Sequence, residues 1–406
     1  MPEHAATAPR LLLLGHAAPP PNLLRCTILA RPERRSLVRC AQEADLALLW
    51  PDSPEALTDW LEALAELPAR PPWLCIAPGA TAAQRRRGFE LGAQLWLAQA
   101  PADLPAQIEW ALWQHERQAD LQAQLDERKW TERAKGLLMS AQALDEDGAF
   151  RLLRQTAMQA HLRLGEVSRS VVRAAQQAEA VNLAGQQRML SQRLVKLMAQ
   201  RAGGIEPARA KALQDESAAR IGANLQRLPQ LCDAGVELGA LEAAWDQLRP
   251  LLKGKPTAEV LLAADEAAQQ LLALSEAFAA ALEAEGAGRP LRLVNLCGRQ
   301  RMLSQRLAKE ALLADLLPGR DPELLGAGLQ AFEQGLAELE AAPLSSSAIR
   351  ESLEEVRAEW LRLLRSLRNA HGREAASGLA RSSEVLLKRL DMLTVQYQQS
   401  LQIILG

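Results

Sequence analysis

Val181-Asn-Leu-Ala-Gly-Gln-Gln-Arg-Met-Leu-Ser-Gln-Arg-Leu194 recurs in the same chain as Val294-Asn-Leu-Cys-Gly-Arg-Gln-Arg-Met-Leu-Ser-Gln-Arg-Leu307. Only Ala184/Cys297 and Gln186/Arg299 differ, and each copy runs on to a lysine two residues later, Lys196 and Lys309. Chance does not produce such a match. Both copies are built from Ala, Leu, Gln, Arg and Met, strong helix formers without proline, so each begins a long helix. Helical pattern continues after each one, which predicts two similar helical bundles, about 174–286 and 290–406, facing each other about a pseudo-two-fold axis.

Breakers support that division. Gly203-Gly204 followed by Glu206-Pro207 reads as a helix stop and restart, and Pro318-Gly319 with Asp321-Pro322 repeats the pattern. Gly286-Ala287-Gly288-Arg289-Pro290 reads as a linker, and Pro343 with Ser345-Ser346-Ser347 as a turn and N-cap. Upstream the pattern changes. Residues 10–15, 26–30, 46–50, 73–77 and 94–97 read as five short strands separated by amphipathic stretches, the alternation of an α/β layer with a parallel sheet. From Pro101 onward the strand signal vanishes.

The chain has 406 residues, 48% hydrophobic and 24% charged, which is the composition of a core-forming protein. Aromatics are 3%, and most of the nine tryptophans precede residue 131. A net charge of −2 excludes a globally basic nucleic-acid binder, so any such activity belongs to a local patch. No apolar run exceeds residues 277–282, far short of the ~20 residues that span a bilayer. With no export leader in the sequence, the expectation is a cytoplasmic protein without membrane contact. The five cysteines are odd in number and contain no Cys-x-x-Cys pair, against a zinc site or a disulfide framework. The histidines are isolated, there is no Gly-rich phosphate loop, and Asp145-Glu-Asp-Gly148 lacks the spacing of a calcium loop. The expectation is therefore no enzyme, no catalytic residues, no metal and no cofactor.

Neither repeat contains a carboxylate. Arg188, Arg193, Lys196 and Arg201 lie in the first, and Arg289, Arg292, Arg299, Arg301, Arg306 and Lys309 around the second. The plainest account of most of them is pairing with Glu or Asp on neighbouring helices. Gly185 and Gly298 weigh against that account for Arg188 and Arg301. Glycine inside a helix costs ~1 kcal/mol relative to alanine, so a repeated one indicates close backbone approach. Asn182, Gly185, Met189 and Gln192 share one face, with Arg188 a turn beyond the glycine. Two such helices crossing at their glycines would bring Arg188 near Arg301. Guanidinium groups ~6 Å apart repel by roughly 3 kcal/mol at an effective dielectric near 20, and a small anion between them removes that penalty. Arg188, Arg301, Gly185 and Gly298 are thus the candidate ligand site.

The element Asn-Leu-Ala-Gly-x-x-Arg-Met-Leu-Ser-Gln-Arg resembles the signature helix of the nitrate/nitrite sensor domains of bacterial chemoreceptors, sensor kinases and nitrate-responsive antiterminators. The resemblance implies that the arginine of Gly-x-x-Arg-Met, here Arg188 and Arg301, binds nitrate or nitrite as a regulatory ligand. It also implies that a single chain supplies both halves of a site that is otherwise shared between subunits.

Residues 118 to 173 carry a second resemblance. Leu121-x-x-x-Leu125-x-x-Arg128-Lys129-x-x-Glu132-Arg133-Ala134-Lys135-Gly136-Leu137-Leu138-Met139 is followed by Asp145-Glu146-Asp147-Gly148-Ala149-Phe150-x-Leu152-Leu153-Arg154-x-x-Ala157-Met158. This is similar to the ANTAR domain, a three-helix RNA-binding antitermination module. Leu121, Leu125, Ala134, Leu137 and Leu138 give one apolar face, which leaves Arg128, Lys129, Arg133 and Lys135 for a basic one, and Asp145 is the expected N-cap of the second helix. RNA loops are held by cationic contacts to phosphate and by stacking on exposed bases. The candidate RNA contacts are Arg128, Lys135, Arg154 and His161, then Arg133 and Arg163.

Residues 1–116 look like the receiver-like, flavodoxin-type domain that often precedes such modules, in degenerate form. Trp50 stands where the phosphoacceptor aspartate is expected, Gly15-His16-Ala17 lacks the acidic pair that holds magnesium, and Leu97-Ala98-Gln99-Ala100 replaces Leu-x-Lys-Pro. Asp52 is the nearest substitute. The resulting expectation is a multidomain chain: α/β receiver-like over 1–116, an all-α three-helix ANTAR module over 117–173, and an all-α duplicated helical-bundle sensor over 174–406. The resemblances imply a nitrate- or nitrite-controlled antiterminator acting on hairpin loops of a leader RNA in nitrate assimilation, with a second copy of the chain as a further candidate partner in a homo-oligomer. The competing reading is a sensor or interaction protein for another small anion that acts by dimerising, with residues 104–125 as a coiled-coil seam. No proline falls between 166 and 202, so the third ANTAR helix is expected to run directly into the first sensor helix.

Overall fold

The computed structural model describes residues 10–15, 26–29, 34–142, 144–232, 235–285, 289–317, 323–342, 346–368 and 372–404. The chain divides into two compact units, Met1–Asp126 and Glu127–Gly406. Several expected breakers (Gly286-Ala287-Gly288, Pro318-Gly319, Asp321-Pro322, Pro343 and Ser345) and the strand-end residues His16 and Ala17 lie outside the described residues.

The first unit contains β1 (Leu11–Leu14), β2 (Cys26–Leu29), α1 (Arg34–Glu43), β3 (Leu46–Leu49), α2 (Pro54–Ala65), β4 (Trp73–Ile76), α3 (Ala82–Glu90) and β5 (Ala93–Leu97). All strands are parallel, in the order β2-β1-β3-β4-β5. A parallel strand covered on both faces reads as an unbroken apolar run, and Leu11–Leu14, Leu46–Leu49 and Trp73–Ile76 are buried at every position. One face packs Leu12, Leu14 and Leu49 against Leu37, Leu57 and Leu61. The other packs Leu13, Leu48 and Ile76 against Leu104, Ile108 and Ala111, the first turns of α4 (Leu104–Gln142). Ser53 caps α2 by accepting from the Ala56 amide at 3.1 Å, and Thr81 and Gln84 form a capping box on α3.

The second unit is entirely helical among the described residues. The latter part of α4, α5 (Glu146–Ala160) and the start of α6 (Leu164–Ala202) form a three-helix module around Ala134, Leu138, Ala149, Leu153, Val167 and Val171. Asp145 caps α5 by accepting from Gly148 N at 2.8 Å, as its position suggests. The 39-residue α6 continues without a break out of this module. It ends at Gly203-Gly204, and α7 (Pro207–Arg227) restarts with Pro207 in its first turn.

Two similar sets of helices then follow. The first is α6 and α7 with α8 (Gly235–Leu251) and α9 (Ala258–Glu285); the second is α10 (Arg289–Leu316), α11 (Glu323–Glu340), α12 (Ser347–Arg368) and α13 (Arg373–Ile404). A single apolar core joins them, with α6 against α10 at its centre. From Ala184 to Gln200 every residue of α6 is buried. A helix buried all round is ordinarily apolar all round. This one carries Arg188, Arg193 and Lys196 into the core, and α10 likewise carries Arg301 and Lys309.

Candidate functional site

Why α6 and α10 can approach so closely is visible at their glycines. A Cβ placed on Gly185 would lie 3.2 Å from Gly298 Cα, and a Cβ on Gly298 would lie 3.2 Å from Gly185 Cα. The space it would enter already holds guanidinium groups: Arg301 Nη2 at 3.2 Å and Arg188 Nη2 at 3.3 Å from the Gly185 position. The crossing therefore brings Arg188, Arg301, Gly185 and Gly298 together at one point. Each arginine is at most 1% exposed.

The counter-charge absent from the repeats comes from the outer helices. Arg188 Nη1 donates to Glu276 at 2.8 Å, and Arg301 Nη1 donates to Asp391 at 2.9 Å. Each arginine also reaches across the crossing to the other copy's asparagine: Arg188 Nη2 to Asn295 Oδ1 at 2.5 Å, and Arg301 Nη2 to Asn182 Oδ1 at 2.7 Å. Pairing with carboxylates on neighbouring helices, expected for most of these cations, extends to Arg188 and Arg301, and the expectation that set these two apart is corrected: α9 and α13 bring Glu276 and Asp391 in from distant sequence. Those carboxylates stand at the rim, with Glu276 33% and Asp391 32% exposed. The Nε–H groups of both arginines are buried and have no hydrogen-bond partner.

Electrostatics at the crossing are tense. Burial pushes the Arg188 guanidinium below its ordinary range; Glu276 opposes this, while Arg299 and Arg301 push the same way as burial. For Glu276, burial alone would raise the carboxyl, but Arg188 and Arg299 outweigh it and the net shift is downward. The sulfur of Cys297, beside Arg301 and Thr394, is pushed up to about 12 by burial and stays a thiol.

A second charged layer lies further along both helices. Lys196 donates to Gln305 at 2.6 Å, to Ser383 at 3.1 Å and to Glu384, which also receives Arg193 Nη2 at 2.6 Å. Lys309 instead pairs with Asp265 at 2.6 Å and with its neighbour Glu310 at 2.9 Å. Burial works to raise the Glu384 carboxyl, yet Lys196 and Arg193 hold it at about 2.

In the three-helix module Arg128, Arg133, Arg154, His161 and Arg163 are all exposed. Lys135 is not: it is 8% exposed and pairs with Glu146 at 2.7 Å and Glu132 at 2.9 Å. That corrects its place on the basic face. The buried stripe of α4 here is Thr131, Ala134, Lys135 and Leu138, whereas Leu121 and Leu125 are exposed at 47% and 55%. Phe150 and Met158 on α5 and Leu162 just past its end, which the sequence does not single out, flank the candidate Arg154 at four-residue spacing; all four are exposed, with His161 in a left-handed conformation at the helix end. Three apolar side chains beside one cation can stack on a base and reach an adjoining phosphate.

At the end of β3, Trp50 N donates to Leu14 O at 2.8 Å, and a Cβ on Gly15 would lie 2.4 Å from Trp50 O. Gly15, at φ 106°, thus leaves no room for a side chain against the backbone of Trp50, the residue that the receiver resemblance sets at the phosphoacceptor position. Asp52 is exposed. Among the described residues no group of three or more His, Cys, Asp or Glu is placed to hold a metal, and no helix is long and apolar enough to cross a membrane.

Compared with known families, residues 119–172 match the ANTAR domain. Residues 171–276 and 292–385 match the domain described as Type IV pili methyl-accepting chemotaxis transducer N-term. The ANTAR match supports a regulator that binds RNA in antitermination, and the second match is compatible with a helical sensor domain. Both are regulatory or sensory in kind. Comparison with curated proteins finds no match.

Proposed function

We propose that the chain is an antitermination regulator whose hold on leader-RNA hairpins is set by nitrate or nitrite bound between Arg188 and Arg301. The observation that carries the reading is the pair of buried, unpartnered Nε–H groups at the glycine crossing, each on a guanidinium whose Nη1 is held by a carboxylate at the rim and whose Nη2 is held by the other copy's asparagine. A planar anion accepts forked hydrogen bonds from two guanidinium groups at once. On entry it takes over the Nη donors, and Glu276 and Asp391 turn outward to water. The gain is the removal of guanidinium repulsion and the satisfaction of both Nε–H groups; the cost is two broken ion pairs. Occupancy and closure then form a two-state balance, which the anion moves by the difference between its affinities for the two states.

Calorimetry with sodium nitrate tests the site. The wild-type chain binds, while Arg188→Ala and Arg301→Ala each abolish binding. Unchanged affinity in either variant refutes the site.

A second reading is favoured by one feature. Trp113, Leu121 and Leu125 stand on one ridge of α4 and are 60%, 47% and 55% exposed, which suits association with a second copy. The first part of the expected 104–125 seam is already used, since Leu104, Ile108 and Ala111 cover the sheet. Sedimentation with and without nitrate decides whether the anion acts by changing oligomeric state.

A further inference from the structure

A line of side-chain hydrogen bonds leaves the crossing through Asn182. Arg301 Nη2 donates to Asn182 Oδ1 at 2.7 Å, Asn182 Nδ2 donates to Gln398 Oε1 at 3.1 Å, and Gln398 Nε2 donates to the Ala178 carbonyl at 3.1 Å. The polarity of this line is fixed by its chemistry. A guanidinium can only donate, so Asn182 must present its oxygen to Arg301 and its NH₂ to Gln398, and the Gln398 amide must then donate onward. The line ends on α6 beside the three-helix module. There Gln398 and Val395 of α13 share the lining of a cavity of about 320 Å³ with Arg133, Leu137 and Ser140 of α4 and Gln176 of α6.

The other copy lacks this line. Asn295, which accepts from Arg188, passes its NH₂ to Glu283, the residue matching Gln398 in the pseudo-symmetric half. A carboxylate only accepts and cannot hand a proton donor onward. The signal path is therefore built into one half-site.

We propose that Gln398 is the positioning residue that conveys the state of the guanidinium pair to the ANTAR module. The inference rests on the anion reading above. When the anion takes the Nη2 donor of Arg301, Asn182 loses the contact that orients it. Gln398 in turn loses its fixed partner, and the end of α13 is no longer tied to α6 at Ala178. The wall beside Arg133 then moves, and with it the surface that the module offers to RNA.

The test uses the full chain and a tandem-hairpin RNA, with nitrate affinity measured on the same proteins. Gln398→Ala and Gln398→Glu are expected to bind nitrate within about threefold of wild type, yet to lose an RNA response of about tenfold. Gln398→Glu is the sharper variant, because it keeps the acceptor for Asn182 and removes the donor to Ala178. Glu283→Gln keeps the response. A full response in Gln398→Glu overturns the proposal. A wild-type chain that binds no nitrate would refute the anion reading, and an anion-free double-mutant cycle then decides the relay by itself. Asn182→Ala, Gln398→Ala and the double variant are expected to shift RNA affinity by the same factor, since each cuts the same line. Additive shifts, or none, overturn it.

Discussion

In the first copy Arg188 is held by Glu276, and the asparagine it meets across the crossing, Asn295, is tied off on Glu283. In the second, Arg301 is held by Asp391, and Asn182 leads on through Gln398 to the backbone of α6. Deeper in the core, Lys196 and Arg193 share Glu384, and Lys196 donates also to Ser383 and Gln305, whereas Lys309 pairs with two carboxylates, Asp265 and Glu310. Duplication preserved the groups that touch at the crossing and let their outer partners diverge. The first half consequently anchors charge, and the second connects it to the rest of the molecule.

The comparison is broken most forcefully at the deeper layer. Glu384→Gln leaves Lys196 and Arg193 buried without their carboxylate and should cost about 3–5 kcal/mol in urea unfolding. Asp265→Asn should cost clearly less, because Glu310 still faces Lys309. Equal losses would show that the two layers are equivalent after all. The same carboxylate gives an acid signature. With its folded pKa at about 2, below its ordinary 4.5, Glu384 contributes stability that is present above pH 4.5 and disappears as the pH falls toward 2. Glu384→Gln should flatten that part of the stability profile.

Next in size is the crossing itself. Gly298→Ala places a methyl 2.8 Å from Arg188 Nη2 and 3.2 Å from Gly185 Cα. Overpacking of this kind costs about 1–3 kcal/mol against a helix-propensity gain of about 1 kcal/mol. Nitrate affinity should fall by more than stability does, and calorimetry beside thermal unfolding separates the two. Removing one rim carboxylate acts oppositely. Glu276→Gln or Asp391→Asn should tighten nitrate binding by about tenfold, since the anion no longer displaces a charge. The smallest effect belongs to the RNA surface. Lys135→Met should leave RNA affinity within about twofold, while Arg154→Ala should weaken it and lower the salt slope by about one.

The five strands were legible in the sequence to within a residue, because a parallel strand buried on both faces leaves little freedom beyond runs such as Leu11–Leu14 and Leu46–Leu49. The glycine crossing was legible for a different reason: a repeated helical glycine has few other uses. The partners of the buried cations were not. Glu276, Asp391 and Glu384 lie 88, 90 and 188 residues from the side chains they meet, on helices where carboxylates are common, so nothing local marks them. Lys135 was misplaced because Leu121 and Leu125 set the wrong helical phase for α4; the phase that counts begins at Thr131 and runs through Ala134 and Leu138. Gln398 has no signal of its own. Only the match between its position and that of Glu283, seen once both halves are folded, shows that an amide stands where a carboxylate would end the line.

The most direct test of the account is filter binding of a tandem-hairpin RNA to the full chain in sodium nitrate and in sodium chloride at equal ionic strength, so that counterion effects cancel. The account predicts RNA binding about tenfold tighter in nitrate, with the difference abolished by Arg301→Ala. Equal RNA affinity of the wild-type chain in the two salts would contradict it.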